Sequence, residues 1–183
     1  MTNWPDKESA EFWELAMFIR GYARLPHGVN FEMVRKNDRP DFLIENVEAN
    51  EKCGLEVTSV YSSDHSVQDH KKMRNLPLHI HKKDQEITSY FARVKKCIKS
   101  KIEKSRSYDH EFPLILSIYI NEYCSIFIGR PEFEDFVISL QLDSFSISPY
   151  REIVFHNGSN SKIFSIKQDA RMNLVFCCSS LSM

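Results

Sequence analysis

The chain is poor in glycine, has no long apolar run and carries almost no net charge, and each shortage removes a class of function. Its five glycines form no G-x-x-x-x-G-K-[ST] or G-x-G-x-x-G loop to cradle a phosphate. There is no G-x-S-x-G and no recognisable Ser-His-Asp order, so the serine-hydrolase arrangements have no support. No apolar run approaches the roughly 18–20 residues of a membrane span, and no membrane partner is expected. The five cysteines (Cys53, Cys97, Cys124, Cys177 and Cys178) are odd in number, irregularly spaced and without a C-x-x-C pair. Neither a zinc site nor a disulfide framework is expected from them. The stretch "MTNWPDKESAEF" is acidic and polar where a signal peptide is basic and then apolar. Free thiols in a reducing compartment, and a cytoplasmic location, fit these features.

What is present supports one domain over residues 1–183, with enough apolar side chains (42%) for a substantial core. The net charge of −1 hides an asymmetry. Residues 71–106 hold twelve Lys/Arg against three Asp/Glu, which leaves the remainder strongly acidic. Such a chain has a basic side suited to phosphates, with Lys71, Lys72, Arg74, Lys95 and Lys99 as candidate backbone contacts. The ordinary alternative is a solvated, lysine-rich helix face. The cluster His65, His70, His79 and His81 lacks cysteine or acid partners at zinc-motif spacing.

Periodicity sets the element order. Residues 6–24 read as a helix, with Asp6 as cap and Phe12, Leu15, Ala16, Ile19, Tyr22 and Ala23 at helical spacing. "FEMVRK", "DFLIEN" and "GLEVTSVY" read as three strands of an antiparallel meander, the polar "NVEANEKC" joining the last two. Residues 62–83 are polar and aperiodic. Residues 84–106 give the strongest helix, with Ile87, Phe91, Val94, Ile98 and Ile102 in an apolar stripe. "FPLILSIYIN" reads as a buried strand, which a helical crossover would pair in parallel with the third. "PEFEDFVISLQL" reads as a helix, "REIVFHN" and "KIFSIKQ" as a hairpin, and "NLVFCC" as a last strand. The expected fold is α/β, a mixed sheet with helices on both faces.

Two acids stand out in "RPDFLIENVEANEKCGLEVTSVY". Asp41 heads the second strand and Glu56 lies within the third. Their ordinary explanations are a turn residue and a solvent-facing strand position. If the strands are neighbours, however, both carboxylates can share one sheet face. Two hard oxygen ligands with the Val57 carbonyl suit Mg²⁺, which completes its octahedron with water. Pro40-Asp41 and "GLEVT" (Gly54–Thr58), with fourteen residues between Asp41 and Glu56, resemble the PD-(D/E)XK nuclease superfamily, the restriction-endonuclease-like fold. That family's α-β-β-β-α-β core order matches residues 6–121, leaving 122–183 as C-terminal β additions.

The resemblance implies a nuclease that hydrolyses phosphodiester bonds with Mg²⁺ or Mn²⁺, on DNA ahead of RNA. Its common setting is bacterial and antiviral defence, as a homodimer or in a larger complex. One position departs from the family: its motif lysine falls at Thr58, which cannot carry that charge. In some members the lysine sits on the helix after the third strand. Here Lys101 is the candidate, about 20° from Val94 on the helical wheel, with Lys104 as second choice. A lysine snorkelling over the core is its ordinary alternative. The family's first helix often adds a third acid. Glu11, at the border of the apolar face, is the candidate, with Glu8 and Glu14 left open. A catalytically inactive nuclease-fold binding module, such as an immunity protein or an assembly subunit, is the alternative function.

Overall fold

Asp6 opens the first helix, its Oδ1 accepting the Ser9 backbone N–H at 2.8 Å. That capping bond satisfies one of the amides that the first turn leaves unpaired. In the computed structural model, which describes residues 6–60, 84–108, 111–120, 131–142, 149–157, 162–168 and 174–180, α1 (Lys7–Tyr22) leads into three strands. These are β1 (Phe31–Lys36), β2 (Phe42–Asn46) and β3 (Glu51–Val60). Then come α2 (Asp84–Ser105), β4 (Leu114–Ile120), α3 (Pro131–Leu142), β5 (Tyr150–Asn157), β6 (Lys162–Gln168) and β7 (Leu174–Ser180). The strands lie side by side in chain order in one seven-stranded sheet. β1, β2 and β3 form the expected antiparallel meander. β3, β4 and β5 run parallel, and β6 and β7 return antiparallel. Among the described residues no helix is long and apolar enough to cross a membrane.

Two features differ from the sequence reading. β3 begins at Glu51, so the polar link shrinks to residues 47–50. The Asn46 side-chain oxygen accepts the backbone N–H groups of Glu48 (3.1 Å) and Ala49 (3.4 Å). Asn50 takes a left-handed φ of 54°, which asparagine tolerates. The turn is therefore tight enough for Glu51–Cys53 to pair with Ile44–Asn46. The second difference lies at the other end. The expected hairpin exists as β5–β6, but β5 also pairs with β4. The C-terminal strands thus continue the main sheet instead of standing beside it.

Each sheet face is covered by helix. On one face Leu15, Phe18 and Tyr22 of α1 pack on Phe42, Ile44, Leu55, Val57, Ile115 and Val154. On the other, Tyr90, Val94, Ile98 and Ile102 of α2 and Phe133, Val137 and Leu140 of α3 cover Leu116, Ile118, Ile153 and Phe155. Covering on both sides explains why β4 reads as a continuous apolar run, and all seven of its residues are buried.

α2 keeps the expected stripe at Val94, Ile98 and Ile102, with Phe91 partly buried; the Ile87 side chain lies outside the described residues. α1 is rotated. Its buried residues are Glu14, Leu15, Phe18, Gly21 and Tyr22, while Phe12, Ala16 and Ala23 are exposed. This helix is apolar nearly all round, so period alone does not set its phase. Aromatic contacts do: Phe18 and Tyr22 pack on each other and both on Phe31. The rotation carries Glu14 inward. The end of α1 is also tied down, because buried Glu152 of β5 accepts from the Tyr22 hydroxyl at 2.7 Å and pairs with His27 Nε2 at 2.7 Å and the Ser165 hydroxyl.

Gly54 permits the closest approach in the sheet region that matters below. A Cβ there would lie 2.6 Å from both the Pro40 ring and the Leu114 side chain. Gly54→Ala is expected to destabilise the protein by about 1–3 kcal/mol through overpacking, read as a lower midpoint in urea unfolding with an unchanged slope.

Candidate active site

Register decides which side chains meet. β2 pairs with β3 from Asn46↔Glu51 to Phe42↔Leu55 and then stops. One step further would set Asp41 opposite Glu56, and directly opposed residues share a sheet face. The chain instead turns back toward β1, with the Asn37 N–H donating to the Asp41 carbonyl at 2.8 Å. The Val57 N–H, aimed at the strand that has ended, would be left unpaired. Asp41 Oδ2 accepts it at 2.8 Å, so the end of the ladder fixes this carboxylate.

Glu56 alternates with Leu55 and Val57 and faces α2. Its Oε1 accepts from Lys101 Nζ at 2.6 Å and from the Tyr108 hydroxyl at 3.1 Å. The same ammonium lies 3.5 Å from the Val57 carbonyl oxygen. Glu56 Oε2 is buried and has no hydrogen-bond partner among the described residues. Thr58 touches Cys97 of α2 (Oγ1 to Sγ, 3.8 Å).

These groups open into a cavity of about 790 Å³ that Asp41, Glu56, Val57, Lys101 and Glu11 all line. Glu11 is engaged in ion pairs, 3.3 Å from Lys7 and 3.1 Å from Lys36. Glu8, largely exposed, pairs with Lys36 at 3.3 Å and is not among the lining residues. Glu14 is the most enclosed of the three helix acids; it lines the cavity and accepts the Ser59 hydroxyl. Lys104 also lines the cavity, whereas Lys95 and Lys99 do not. Lys99 lies about 200° round the helix from Lys101. Lys71, Lys72, Arg74 and the histidines at 65, 70, 79 and 81 lie outside the described residues.

Tyr108, Arg39 and Lys7 are lining residues that the sequence reading did not assign to the site. For Tyr108 a signal existed. It follows Lys101 by seven residues, two helical turns on along the same face, and a run of backbone bonds from Arg106, Ser107 and Tyr108 to Glu103, Lys104 and Ser105 continues the coil past α2. Arg39 adjoins the Pro40-Asp41 pair, a position whose cavity-facing role depends on how the turn folds.

Burial and crowding raise the affinity of these acids for protons. Burial, followed by the Glu56 charge, lifts Asp41 to about 6, against the Val57 N–H and the Lys101 ammonium. Burial lifts Glu14 to about 7; the Ser59 hydroxyl opposes this, and the charges of Asp41 and Glu11 add to it. Burial, then Glu56, raises the Tyr108 phenol as well.

Among the described residues no group of three or more His, Cys, Asp or Glu is gathered as a metal-binding set. Mg²⁺ needs fewer protein ligands, since it keeps several waters and takes one or two carboxylates. Asp41, the unpartnered Glu56 Oε2 and the Val57 carbonyl supply oxygen donors of that kind. No family model, curated protein or solved structure matches the chain.

The raised Glu14 gives a signed expectation. The native state keeps a proton that the unfolded chain releases from about 4.5 upward, so stability falls as pH rises through 4.5 to about 7. Glu14→Gln removes that cost while its amide oxygen still accepts from Ser59. The variant is expected to be more stable than wild type by on the order of 2–3 kcal/mol at pH 8 and nearly equal to it at pH 4, compared by urea unfolding at both values.

Proposed function

We propose that the chain is a metal-dependent nuclease on the PD-(D/E)XK, restriction-endonuclease-like plan, hydrolysing phosphodiester bonds of nucleic acid, with bacterial defence as its setting. The observation that carries this reading is the meeting of Asp41, Glu56 and Lys101 in one cavity from three separate elements. The α-β-β-β-α-β order and the parallel β3–β4 pair support it. So does the ammonium delivered to Glu56 from α2, where Thr58 offers none.

Asp41, Glu56 through Oε2, and the Val57 carbonyl would hold Mg²⁺ or Mn²⁺. When bound, such a cation supplies Lewis-acid polarisation of a phosphoryl oxygen and lowers the pKa of a water. The protein groups do the rest. Lys101 places a positive charge where negative charge develops on the phosphoryl oxygens as water attacks and the leaving oxygen departs. Tyr108 holds Glu56 Oε1, keeping Oε2 turned away from it. Glu14, with a pKa of about 7, is matched to accepting a proton from the attacking water near neutral pH.

One observation favours a second reading, a non-catalytic binding module. Lys101 already neutralises Glu56 directly and approaches Val57 O, so the pair is a complete ionic contact by itself. Metal linkage separates the two. Under the nuclease reading, Mn²⁺ raises the melting temperature of wild type and does not raise that of Glu56→Gln. Lys101→Met keeps the Mn²⁺-dependent rise but loses at least about 100-fold in cleavage of a labelled oligonucleotide. Wild type that melts identically with and without Mn²⁺ and leaves DNA and RNA intact would establish the binding module instead.

A further inference from the structure

The cavity is lined by five carboxylates (Glu11, Glu14, Asp38, Asp41, Glu56) and four cations (Lys7, Arg39, Lys101, Lys104). Two of those cations are committed, Lys101 to Glu56 and Lys7 to Glu11. Arg39 is exposed and makes no hydrogen bond or ion pair with any described residue. It also stands in a second wall. A neighbouring cavity of about 410 Å³ shares Asp38 and Arg39 with the first and has Arg35 and Asn37 on its other side. The β1–β2 turn, closed by the Asn37–Asp41 backbone bond, is therefore the ridge between the two cavities, and Arg39 is its free cation. In sequence Arg39 is only two residues from Asp41, a separation of at most about 7 Å between Cα atoms.

We propose that Arg39 forms a phosphate subsite beside the Asp41–Glu56–Lys101 centre. It holds the next phosphodiester of a nucleic-acid strand that crosses the β1–β2 ridge toward Arg35. This deepens the nuclease reading and rests on it. A guanidinium presents a planar fork of N–H donors that matches two phosphate oxygens at once. Asp38 and Glu111 oppose Arg35 and Arg39 in the second cavity, so the second cavity does not collect anions in general. It offers Arg35 and Arg39 as two separate cations beside the acids. That geometry suits a polymer with regularly spaced phosphates better than a lone phosphate ion.

The experiment compares a substrate that has flanking phosphates with one that has none. Binding of a fluorescein-labelled eight-nucleotide single strand is followed by anisotropy with Ca²⁺ across a salt series. Hydrolysis of bis(p-nitrophenyl) phosphate, a single phosphodiester, is followed with Mn²⁺. Arg39→Gln is expected to weaken oligonucleotide binding about tenfold and to lower the slope of log K against log salt by about 0.7. Its loss of kcat/KM on bis(p-nitrophenyl) phosphate, which has no neighbouring phosphate, is much smaller than its loss of oligonucleotide affinity. Arg39→Lys restores the salt slope, since it keeps the charge, but only part of the affinity. If wild type binds the strand and Arg39→Gln binds it equally well with the same slope, the subsite is overturned and the nuclease reading stands. An equal loss on both substrates places Arg39 at the scissile phosphate and also overturns it. Competition by millimolar inorganic phosphate in wild type alone would mean that Arg39 binds the free ion, against a strand path. A wild-type chain without affinity for the oligonucleotide overturns the subsite and the nuclease reading together.

Discussion

The hydrogen bond between the Asp41 carboxylate and the Val57 N–H is the constraint on which the rest depends. In an antiparallel ladder the N–H and C=O of one residue point toward the same neighbouring strand. Because β2 stops at the Phe42↔Leu55 pair, both polar groups of Val57 face the gap that β2 leaves. Asp41 takes the N–H, and the Lys101 ammonium approaches the carbonyl. If β2 continued in the same register, Pro40 would stand opposite Val57; its carbonyl would take the Val57 N–H and free Asp41 from its tether, but proline has no N–H for the Val57 carbonyl. The site is thus the unfinished end of a ladder, held open by a turn and by Pro40 packed against Gly54.

The chain treats two clusters of enclosed carboxylates in opposite ways. Burial works against a charge on Glu152, but bonds from His27, Ser165 and Tyr22 outweigh it and hold its pKa below the usual carboxylate value. Such a group helps to hold the fold together. In the cavity, burial and neighbouring acids prevail over the compensating bonds, and Asp41 and Glu14 are both raised. An arrangement that costs stability at neutral pH, next to an unsatisfied Glu56 oxygen, is the kind of environment found where chemistry or a cation is accommodated. The contrast between these two clusters gives the cavity its weight. Composition alone could not, since acidic residues are spread through the chain.

Most of the fold was legible because its signals are local. β4 announces burial on both faces through an unbroken apolar run, and the α2 stripe at Val94, Ile98 and Ile102 repeats cleanly. Glu56 and Lys101 were legible as partners because strand alternation and helical period each assign a face. What sequence could not supply was phase and termination. α1 is apolar around most of its surface, so its rotation, and with it the choice of Glu14 as the enclosed acid, waited on Phe18 and Tyr22 meeting Phe31. The start of β3 depended on side-chain bonds within the turn after Asn46, and the exposed ridge at Arg39 on where β2 stops pairing. These are tertiary decisions that periodicity does not encode.

The threonine at position 58 makes physical sense together with the lysine on α2. Thr58 and Glu56 are two residues apart on one face of β3, a separation of about 6.6 Å. Cys97 and Lys101 are four apart on one face of α2, about 6 Å. Thr58 meets Cys97 and Glu56 meets Lys101, so helix and strand run in opposite directions past each other with nearly equal steps. The short Thr58 side chain lets the helix come close enough for the second contact. A lysine at 58 would push its stem into Cys97, lift α2 from the sheet and bring a second ammonium toward a space that Lys101 already fills. Thr58 thus suits a helix that brings Lys101 to Glu56.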